Sequence, residues 1–587
     1  MKKIIFKIGL IIAAVTISGC NFLDVTEYPK GSQWASKADF ESGILGLYSY
    51  QFDNWSEEVT GTGLYSWEIA TDDILMGRSG YAHESQIHNM AWAAVDRSEI
   101  SCIWWRMYLQ NTKANNLIKD INTAFDNGLA NDMDEDFKKL AIAEASFARA
   151  YAMLWIAPYY GDDGDNGGIP IILEDVEVDK IKDIGRPASV LDNYEQIIKD
   201  FRTAADGLPF LSEVMAANNH GRAHKAAAWG LAARAALYAA RYDASYYDVV
   251  IEMCDNIINI ASKPGASAAD TRALLTTTGT YPDGSVRPAY GNLFTMANNY
   301  SSEYLWSFAG NTNNETRGPQ FYAQGIQNGG WDYCNTWGKF QPTWELYMAY
   351  ETGDERREAT ILKPGDKGAW FGEVLHLGAK SEIQNTRGEK KIAGQMQEWA
   401  MSSTTNLVFR KYMEPFEYLD ADLRGFVNTD ASRPRTALAQ VVLRYSDVLL
   451  MKAEALIMKN GGNAIGTAAT LINQVRGRAG LAQNSTGSLA ELKKERRVEV
   501  AYEFQPSRFL DLIRWGDAAT VFNNPTHGCK FTTVYSNDTD EGTVTIDYAN
   551  PTKLFDARTF DPAINHVTPI PNRAFNGTTN LVQNKGY

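Results

Sequence analysis

Apolar residues recur at i, i+3, i+4 and i+7 in several long segments of the chain, and this spacing predicts amphipathic helices that bury their apolar faces. The clearest segments are 103–121, 137–156, 190–208, 225–241, 247–260, 443–458, 465–478 and 489–504. We therefore predict a mainly α-helical fold with little β structure.

Three of the predicted helices place two alanines two positions apart, at Ala148 and Ala150, Ala233 and Ala235, and Ala453 and Ala455. Small residues let a second helix approach closely, and helix pairs of this kind are the unit of tetratricopeptide-like repeats. The copies lie 85 and 220 residues apart, which is not a regular repeat of about 34 residues. Large insertions must then separate the pairs. A general helical domain with an alanine-rich core is equally compatible with the periodicity.

The stretch 263–432 lacks sustained periodicity and is rich in Gly, Asn, Thr and aromatic residues. Irregular stretches of this length inside globular proteins are usually functional or disordered, and the Trp and Tyr content argues against disorder. We therefore predict a large loop-rich, ligand-binding insert in a tetratricopeptide-like scaffold. The predicted domains are a signal peptide (1–19), an N-terminal helical part (20–262), the insert (263–432) and a C-terminal helical part (433–587).

The N-terminus has the pattern of an export signal. Lys2, Lys3 and Lys7 precede a short apolar run at 8–17, and the tetrapeptide Ile17-Ser18-Gly19-Cys20 begins at the end of that run. The run is shorter than the about 20 residues that a membrane-spanning helix needs. The tetrapeptide resembles the bacterial lipobox, whose cysteine is lipidated, so we predict lipidation of Cys20. An ordinary signal peptide with a chance cysteine is the alternative, and no later apolar run is predicted to span a membrane.

The charge and the cysteines exclude several classes of function. With 56 Lys+Arg against 71 Asp+Glu, the net charge is -15, which argues against nucleic acid as a partner because phosphate binding needs clustered cations. Cys102, Cys254, Cys334 and Cys529 form no CxxC pair, so neither a zinc site nor a redox dithiol is indicated. Disulfides and buried free thiols both stay open.

Motifs of catalysis and metal binding are scarce. The sequence has no Gly-rich phosphate loop, HExxH or GxSxG motif. His220 and His224 have the spacing of a helical metal pair, but without the HExxH context they are predicted to be a surface pair. The acidic run 162–166 could hold calcium or form a solvated turn. No metal or other cofactor is predicted, and the two carboxylates of a glycosidase, which leave no sequence motif, stay open.

Aromatic residues are the strongest positive signal, with 15 Trp, 29 Tyr and 24 Phe. A flat ring can lie against the apolar face of a pyranose, and aromatic contacts are worth about 0.5–1.5 kcal/mol beyond area burial. Trp331, Tyr333 and Trp337 lie among Gly and Asn in the predicted insert, so they are candidates for sugar stacking or for core packing. Trp104 and Trp105 lie in a strongly apolar predicted helix, and we expect both in the core.

Several blocks resemble the SusD/RagB family of outer-membrane nutrient-binding lipoproteins, and they follow the family's order along nearly the whole chain. They are 20–25 at the lipid cysteine, 443–456 (LRYSDVLLMKAEAL), 472–481 (INQVRGRAGL), 495–503 (ERRVEVAYE), 511–516 (DLIRWG) and the terminal segments 570–571 and 580–587. The resemblance implies a non-enzymatic, outer-membrane lipoprotein that faces the cell exterior. It also implies a SusC-like TonB-dependent transporter as the partner that receives the glycan.

The resemblance further implies where ligands bind, because family sites often combine an early loop with aromatic residues of the insert. The candidates are Trp67, Asp73, Arg78, Trp92, Trp331, Tyr333 and Trp337. The rings would stack on sugars, and Asp73 and Arg78 would hydrogen-bond the hydroxyl groups. Two alternatives remain: a peptide-binding member of the same family, and a lipid-anchored glycoside hydrolase.

Overall fold

The computed structural model describes residues 34, 36–49, 67–76, 86–92, 99–174, 176–282, 284–308, 340–370, 373–376, 383–384, 390–391, 404–414, 438–503, 508–535 and 542–587. Helices dominate this part of the chain. They are α1 (Lys37–Ser49), α2 (Glu99–Asp126), α3 (Glu135–Tyr160), α4 (Val190–Gly207), α5 (Leu211–Ala216), α6 (Lys225–Ala239), α7 (Tyr246–Ile258), α8 (Ala289–Leu293), α9 (Trp344–Ala349), α10 (Glu355–Thr360), α11 (Tyr445–Lys459), α12 (Gly466–Arg478), α13 (Leu489–Glu499), α14 (Arg508–Trp515) and α15 (Ala518–Phe522).

All eight predicted amphipathic helices are present, and the main error is the end of the last one. The prediction extended it to residue 504, whereas α13 ends at Glu499. The carbonyl oxygen of Glu499 accepts hydrogen bonds from Arg444 Nη2 and from the Tyr290 hydroxyl, and Tyr502 adopts a positive φ of 57°. Tertiary contacts therefore end α13 at Glu499, although the apolar period of the sequence continues to residue 504.

Side-chain caps fix the starts of the long helices. The Asp134 carboxylate accepts a hydrogen bond from the backbone N–H of Phe137 at the start of α3 (2.8 Å), and Ser189 accepts one from Leu191 at the start of α4 (3.0 Å). At α13, Ser488 and Glu491 form a reciprocal capping box.

The helices pack as a continuous stack: α2 lies on α3, α3 on α4, α4 on α6, α6 on α7, α7 on α11, and α11 on α12 and α13. Residues 259–444 lie between α7 and α11 in sequence, yet these two helices are neighbours in space. The stack is therefore interrupted by a long insertion and then resumes, as the unequal spacing of the alanine pairs predicted.

The alanines of all three pairs are buried, and each pair flanks a charged residue that makes a buried or nearly buried ion pair with another element. Arg149 binds Asp200 of α4 (2.7 Å), Arg234 binds Asp447 of α11 (2.6 Å), and Glu454 binds Arg514 of α14. Close approach is also visible at Gly230, where an added Cβ would lie 2.2 Å from Leu443 Cδ2. The small residues thus admit the neighbour, and the charge between them fixes its position.

The strands are short and form two-stranded antiparallel pairs. β1 (Ile74–Met76) pairs with β5 (Phe340–Pro342), β2 (Gly279–Thr280) with β3 (Val286–Arg287), β4 (Tyr304–Phe308) with β12 (Gln440–Arg444), β6 (Ile361–Leu362) with β11 (Val408–Phe409), β7 (Lys367–Trp370) with β8 (Glu373–His376), β9 (Ile383–Gln384) with β10 (Lys390–Lys391), β13 (Thr526–Gly528) with β16 (Thr552–Phe555), and β14 (Phe531–Tyr535) with β15 (Gly542–Ile546). The fold is mainly α with little β, as predicted.

Strand β4 belongs to the stretch that was predicted to be an insert, and it is fully buried. Its partner β12 leads directly into α11, and Trp306 of β4 packs edge-on against Phe147 of α3, with ring centroids 4.9 Å apart. At least this part of the stretch is therefore built into the core of the helical scaffold.

Among the described residues, α3 is the one helix that is long and apolar enough to cross a membrane, and 89% of its most apolar window is buried inside the fold. Tyr151, Trp155 and Tyr160 are among the largest fully buried side chains. We assign α3 as the central core helix, because most of its apolar surface is already covered by the fold.

A buried network of ion pairs joins the C-terminal helices to the insert. Arg444, which is fully buried, donates to Glu303 Oε1 (2.8 Å) and to Glu503 Oε2 (2.9 Å), and it also contacts the Glu499 carboxylate. Lys411 Nζ lies 2.7 Å from Glu503 Oε1. Because these carboxylates are removed from water, their contacts with the surrounding cations offset the cost of burying them.

A second part of the network centres on Asp447, which lies between Arg234 (2.6 Å) and Arg496 (2.5 Å). Burial opposes ionisation of this carboxyl, but Arg496 and Arg234 overcome it and lower the pKa of Asp447 to about 2. Arg496 continues the network to Asp511 (2.7 Å). Asp447 is therefore ionised at neutral pH.

Candidate functional site

Two of the predicted ligand-binding rings lie inside the core. Trp67 is fully buried and stacks on Tyr159, with centroids 4.7 Å apart and planes 16° from parallel. Trp92 packs edge-on against Trp67 at 5.9 Å, and its Nε1 donates to the carbonyl oxygen of Ile87. Phe509 of α14 lies close to both rings. Neither indole therefore offers a face to a sugar in this structure, and both hold the core together.

Asp73 is also buried, and its carboxylate is taken up by two arginines. Arg497 Nε donates to Asp73 Oδ1 (2.8 Å), and Arg508 Nε lies 3.2 Å from Asp73 Oδ2. The same arginines bind Asp72, with contacts of 2.8 Å and 2.7 Å. Asp73 thus anchors the turn before β1 to the C-terminal helices, and the structure gives it no open position for a sugar hydroxyl.

The two adjacent carboxyl groups have different titration behaviour. Burial opposes ionisation of Asp72, but Arg508 and Arg497 overcome it and hold its pKa below the usual range. At Asp73, burial is the larger effect and, together with repulsion from Asp72, raises the pKa. The cluster therefore keeps Asp72 ionised beneath the surface.

The remaining predicted site residues are Cys20, Arg78, Trp331, Tyr333 and Trp337. They lie outside the described residues, so their roles stay predictions.

A cleft of about 540 Å³ opens beside the Asp72–Asp73 turn, between α9, α13, α14 and α15. Its lining includes Lys493, Lys494, Arg497, Arg508 and Trp515. We call it the Trp515 cleft. Its volume lies within the range of about 300–1,000 Å³ that is typical of small-ligand sites. Sequence reasoning did not find it, because the block 511–516 was interpreted only as a scaffold signature; the available signal was Lys493-Lys494 followed by an indole.

The Trp515 ring lies among charged groups on the wall of this cleft. Its Nε1 donates to Glu454 Oε1 (2.9 Å), and Lys493 Nζ lies 5.3 Å from the ring centroid. Lys493 pairs with Asp517 (2.7 Å), whereas Lys494 pairs with Glu351 (3.1 Å) and is 51% exposed. A partly exposed indole beside flexible ammonium groups can bind a small ring that carries polar or anionic substituents.

A second, smaller cleft of about 260 Å³ lies at the start of α2, lined by Trp104, Trp105 and Tyr108 together with residues near the C-terminus. Trp104 is 6% exposed, as predicted for a core residue, but Trp105 is 37% exposed. Neighbouring helix residues point about 100° apart, so one can face the core while the next faces out. The core prediction was therefore wrong for Trp105. Arg106 lies over its ring at 4.3 Å.

The possible metal ligands in the described residues have other partners. Asp162 pairs with His566 (3.1 Å), and Asp165 pairs with Lys585 (2.7 Å). His224 caps α6, whereas His220 stacks on Tyr300 with centroids 4.5 Å apart. No group of three or more His, Cys, Asp or Glu side chains in this part of the chain could hold a metal ion.

Two of the four later cysteines, Cys254 and Cys529, have side chains that the structure describes. Both are buried free thiols. Burial raises the pKa of the Cys529 thiol to about 12 and raises that of Cys254 further. Both therefore pack as small apolar groups.

Sequence models of protein families match most of the chain. The model described as "SusD family" matches residues 302–587, and the model described as "Starch-binding associating with outer membrane" matches residues 21–237. The chain belongs to the SusD/RagB family.

Relatives of this SusD/RagB chain are distant in sequence and similar in fold. A SusD-like protein of Bacteroides ovatus is 24% identical over 442 residues, which cover 71% of this chain and 65% of that protein's length. A SusD-like carbohydrate-binding protein from Bacteroides fragilis has a TM-score of 0.70 at 19% identity, with 94% of this chain and 100% of that chain covered. Surface glycan-binding protein A from Bacteroides thetaiotaomicron, in complex with laminarihexaose, has a TM-score of 0.63 at 18% identity and covers 94% and 99%.

Four of the blocks that carry the SusD/RagB resemblance supply charged side chains to the buried ion pairs. The members are Arg444, Asp447 and Glu454; Arg476 and Arg478; Glu495, Arg496, Glu499 and Glu503; Asp511 and Arg514. In these four blocks, part of the recognisable sequence is therefore a set of side chains that neutralise one another inside the scaffold.

Proposed function

We propose that this protein is a lipid-anchored, glycan-binding protein of the outer membrane that captures an oligosaccharide or polysaccharide without cleaving it. The observation that carries the proposal is membership of the SusD/RagB family along most of the chain. It is supported by relatives of the same fold that are named for glycan binding. In this proposal Cys20 carries the lipid, and a SusC-like TonB-dependent transporter receives the bound glycan.

The ligand contacts that we propose are Trp331, Tyr333 and Trp337, with Arg78 donating hydrogen bonds to hydroxyl groups. The reason is chemical: rings stack on pyranose faces, and a few such contacts give affinities in the micromolar to millimolar range. That strength suits a protein that must pass its ligand on. Trp67, Asp73 and Trp92 serve as core and anchor residues, so we leave them out of the proposed site.

Affinity electrophoresis against a panel of polysaccharides tests the proposal. We expect at least one glycan to retard the native chain, and the double variant Trp331→Ala/Trp337→Ala to abolish the retardation while circular dichroism stays unchanged. Trp105→Ala provides a control, because it removes a partly exposed indole that is not among the proposed contacts.

Three outcomes would count against the proposal. If no glycan retards the native protein, a glycan is not the ligand. If a glycan still retards the double variant, Trp331 and Trp337 do not form the binding site. Shortened products after prolonged incubation with the glycan would instead favour a glycoside hydrolase. A parallel screen with peptides separates the peptide-binding alternative.

A further inference from the structure

The wall of the Trp515 cleft is more cationic than the protein around it. Four cationic side chains line it, Lys493, Lys494, Arg497 and Arg508, together with one carboxylate, that of Asp517. The whole chain has a net charge of -15. Each of these cations is paired with a carboxylate, so the cleft can take up an anion where one of its pairs opens.

The cations of the cleft are held in two different ways. Arg497 and Arg508 are mostly buried and are fixed by Asp72 and Asp73 below the floor. Lys493 and Lys494 stand at the opening, where their pairs with Asp517 and Glu351 are partly exposed. Exposed ion pairs contribute little to stability, so an incoming anion can displace them. Glu351 also pairs with Arg476 (2.9 Å), which leaves one carboxylate shared by two cations.

The apolar part of the cleft favours a sugar ring as the body of this ligand. The partly exposed Trp515 ring lies beside Lys493, and Leu512 and the exposed Met348 line the same cleft. A pyranose can place its apolar face on the indole while a carboxylate or sulfate on the ring accepts hydrogen bonds from the ammonium groups.

From this combination we propose that the Trp515 cleft binds an acidic sugar residue, one that carries a carboxylate or a sulfate, through Lys493, Lys494 and the Trp515 ring. The inference rests on the proposed glycan-binding function and specifies its ligand class. It adds residues of α13 and α14 to the proposed ligand contacts. Acidic glycans would then bind through both sets of residues, and neutral glycans through the insert residues alone.

The test is a binding titration of the full chain with oligosaccharides of polygalacturonate, of chondroitin sulfate and of neutral laminarin. We expect one or both acidic ligands to bind, and to bind more weakly as the salt concentration rises. The double variant Lys493→Gln/Lys494→Gln should lower that affinity about tenfold, which corresponds to about 1.4 kcal/mol. It should leave the binding of any neutral ligand unchanged. Comparison of the affinities for polygalacturonate and for chondroitin sulfate oligosaccharides shows whether the cleft prefers a carboxylate or a sulfate.

A matched control is Lys180→Gln/Lys553→Gln, which removes the same charge at two exposed lysines that also pair with nearby carboxylates. This control should bind like the native chain. Binding of neutral ligands only, or of acidic ligands that the cleft variant does not weaken, would overturn the inference and leave the proposed function standing. Binding of no glycan at all would overturn both. If a polyglutamate peptide binds as tightly as the acidic oligosaccharides, the ligand of the cleft is an acidic peptide and not an acidic sugar.

Discussion

At the scale of the residue, Arg444 is a charged side chain of a type that usually lies at the protein surface, but here it is part of the core. It is fully buried between Glu303, Glu499 and Glu503. Burial opposes its charge, but these carboxylates hold the pKa of Arg444 well above its ordinary value. The reverse holds at Glu499, where Arg444, Arg478 and Arg356 overcome burial and lower the pKa of the carboxyl. Each charge in the network is therefore tolerated only because the others are present.

We expect Arg444→Met to destabilise the protein by about 3–5 kcal/mol, because it keeps the length of the side chain and leaves three carboxylates without their shared partner. The measurement is the free energy of unfolding in urea. The control is Lys459→Met, which breaks an exposed pair with Asp248 and should cost about 1 kcal/mol or less. Equal losses in the two variants would contradict this account of the network.

Residue roles were the least predictable feature of the sequence. Trp67, Asp73 and Trp92 lie in an early region rich in aromatic and polar residues, and the resemblance made them binding candidates. Their burial depends on residues from distant parts of the chain. Helix α3 supplies Tyr159, and helix α14 supplies Arg508 and Phe509. Nothing local in the sequence says which loop residues these helices will cover.

At the scale of the element, helices were predictable and their ends were less so. The apolar period reflects which face of each helix meets the core, and this local property identified eight of the nine described helices that have eleven or more residues. The helix that it missed is α1. By contrast, Leu443 and Arg444 belong to strand β12, although the apolar pattern extends the helix over them. Pairing with β4 decided that boundary, since β4 supplies the hydrogen-bonding partner from more than a hundred residues away.

The turn before α13 contains a close approach that can be tested. Gly487 has a φ of +77°, and an added Cβ would lie 2.3 Å from the carbonyl oxygen of Ile465 and 2.6 Å from the backbone nitrogen of Ala469. Gly462 has a similar φ of +82°, but nothing lies within 4 Å of its Cβ position. The two glycines therefore separate backbone strain from steric conflict.

We expect Gly462→Ala to lower the free energy of unfolding by about 1–2 kcal/mol through the left-handed conformation alone. Gly487→Ala should lower it by a further 1–3 kcal/mol or so, since the neighbours are backbone atoms that cannot move aside. Urea unfolding of both variants checks this. Losses of the same size would mean that the turn relaxes around the added methyl group.

At the scale of the whole molecule, buried histidines make the fold sensitive to acid. Burial, together with Arg558, lowers the pKa of His88 to about 4, and burial with Arg272 lowers that of His224 to about 3. In the unfolded chain both would titrate near 6.5. Below that pH the unfolded state binds more protons than the folded state, so stability decreases as the pH falls.

We therefore expect the free energy of unfolding to fall between pH 6.5 and pH 4. A further loss should follow below about pH 4, because Glu499 and Asp447, whose pKa values are lowered in the folded state, become protonated there more readily in the unfolded chain. His224→Asn should reduce the slope of the first part, because asparagine can also cap α6 and does not titrate. Unfolding curves collected at pH 7, 5.5 and 4.5 test this. A variant with the full native slope would show that His224 is not responsible.

The sequence by itself determined the helical class, the order of the family blocks and the presence of a long interruption between helices, because these depend on local periodicity and on residues that are close in the chain. Only the tertiary structure decided which aromatic residues are buried, which charges pair with one another, and that a cation-lined cleft opens beside Trp515. Those properties come from side chains that are hundreds of residues apart and meet only when the helices stack, so their energies are set by packing and by exclusion of water.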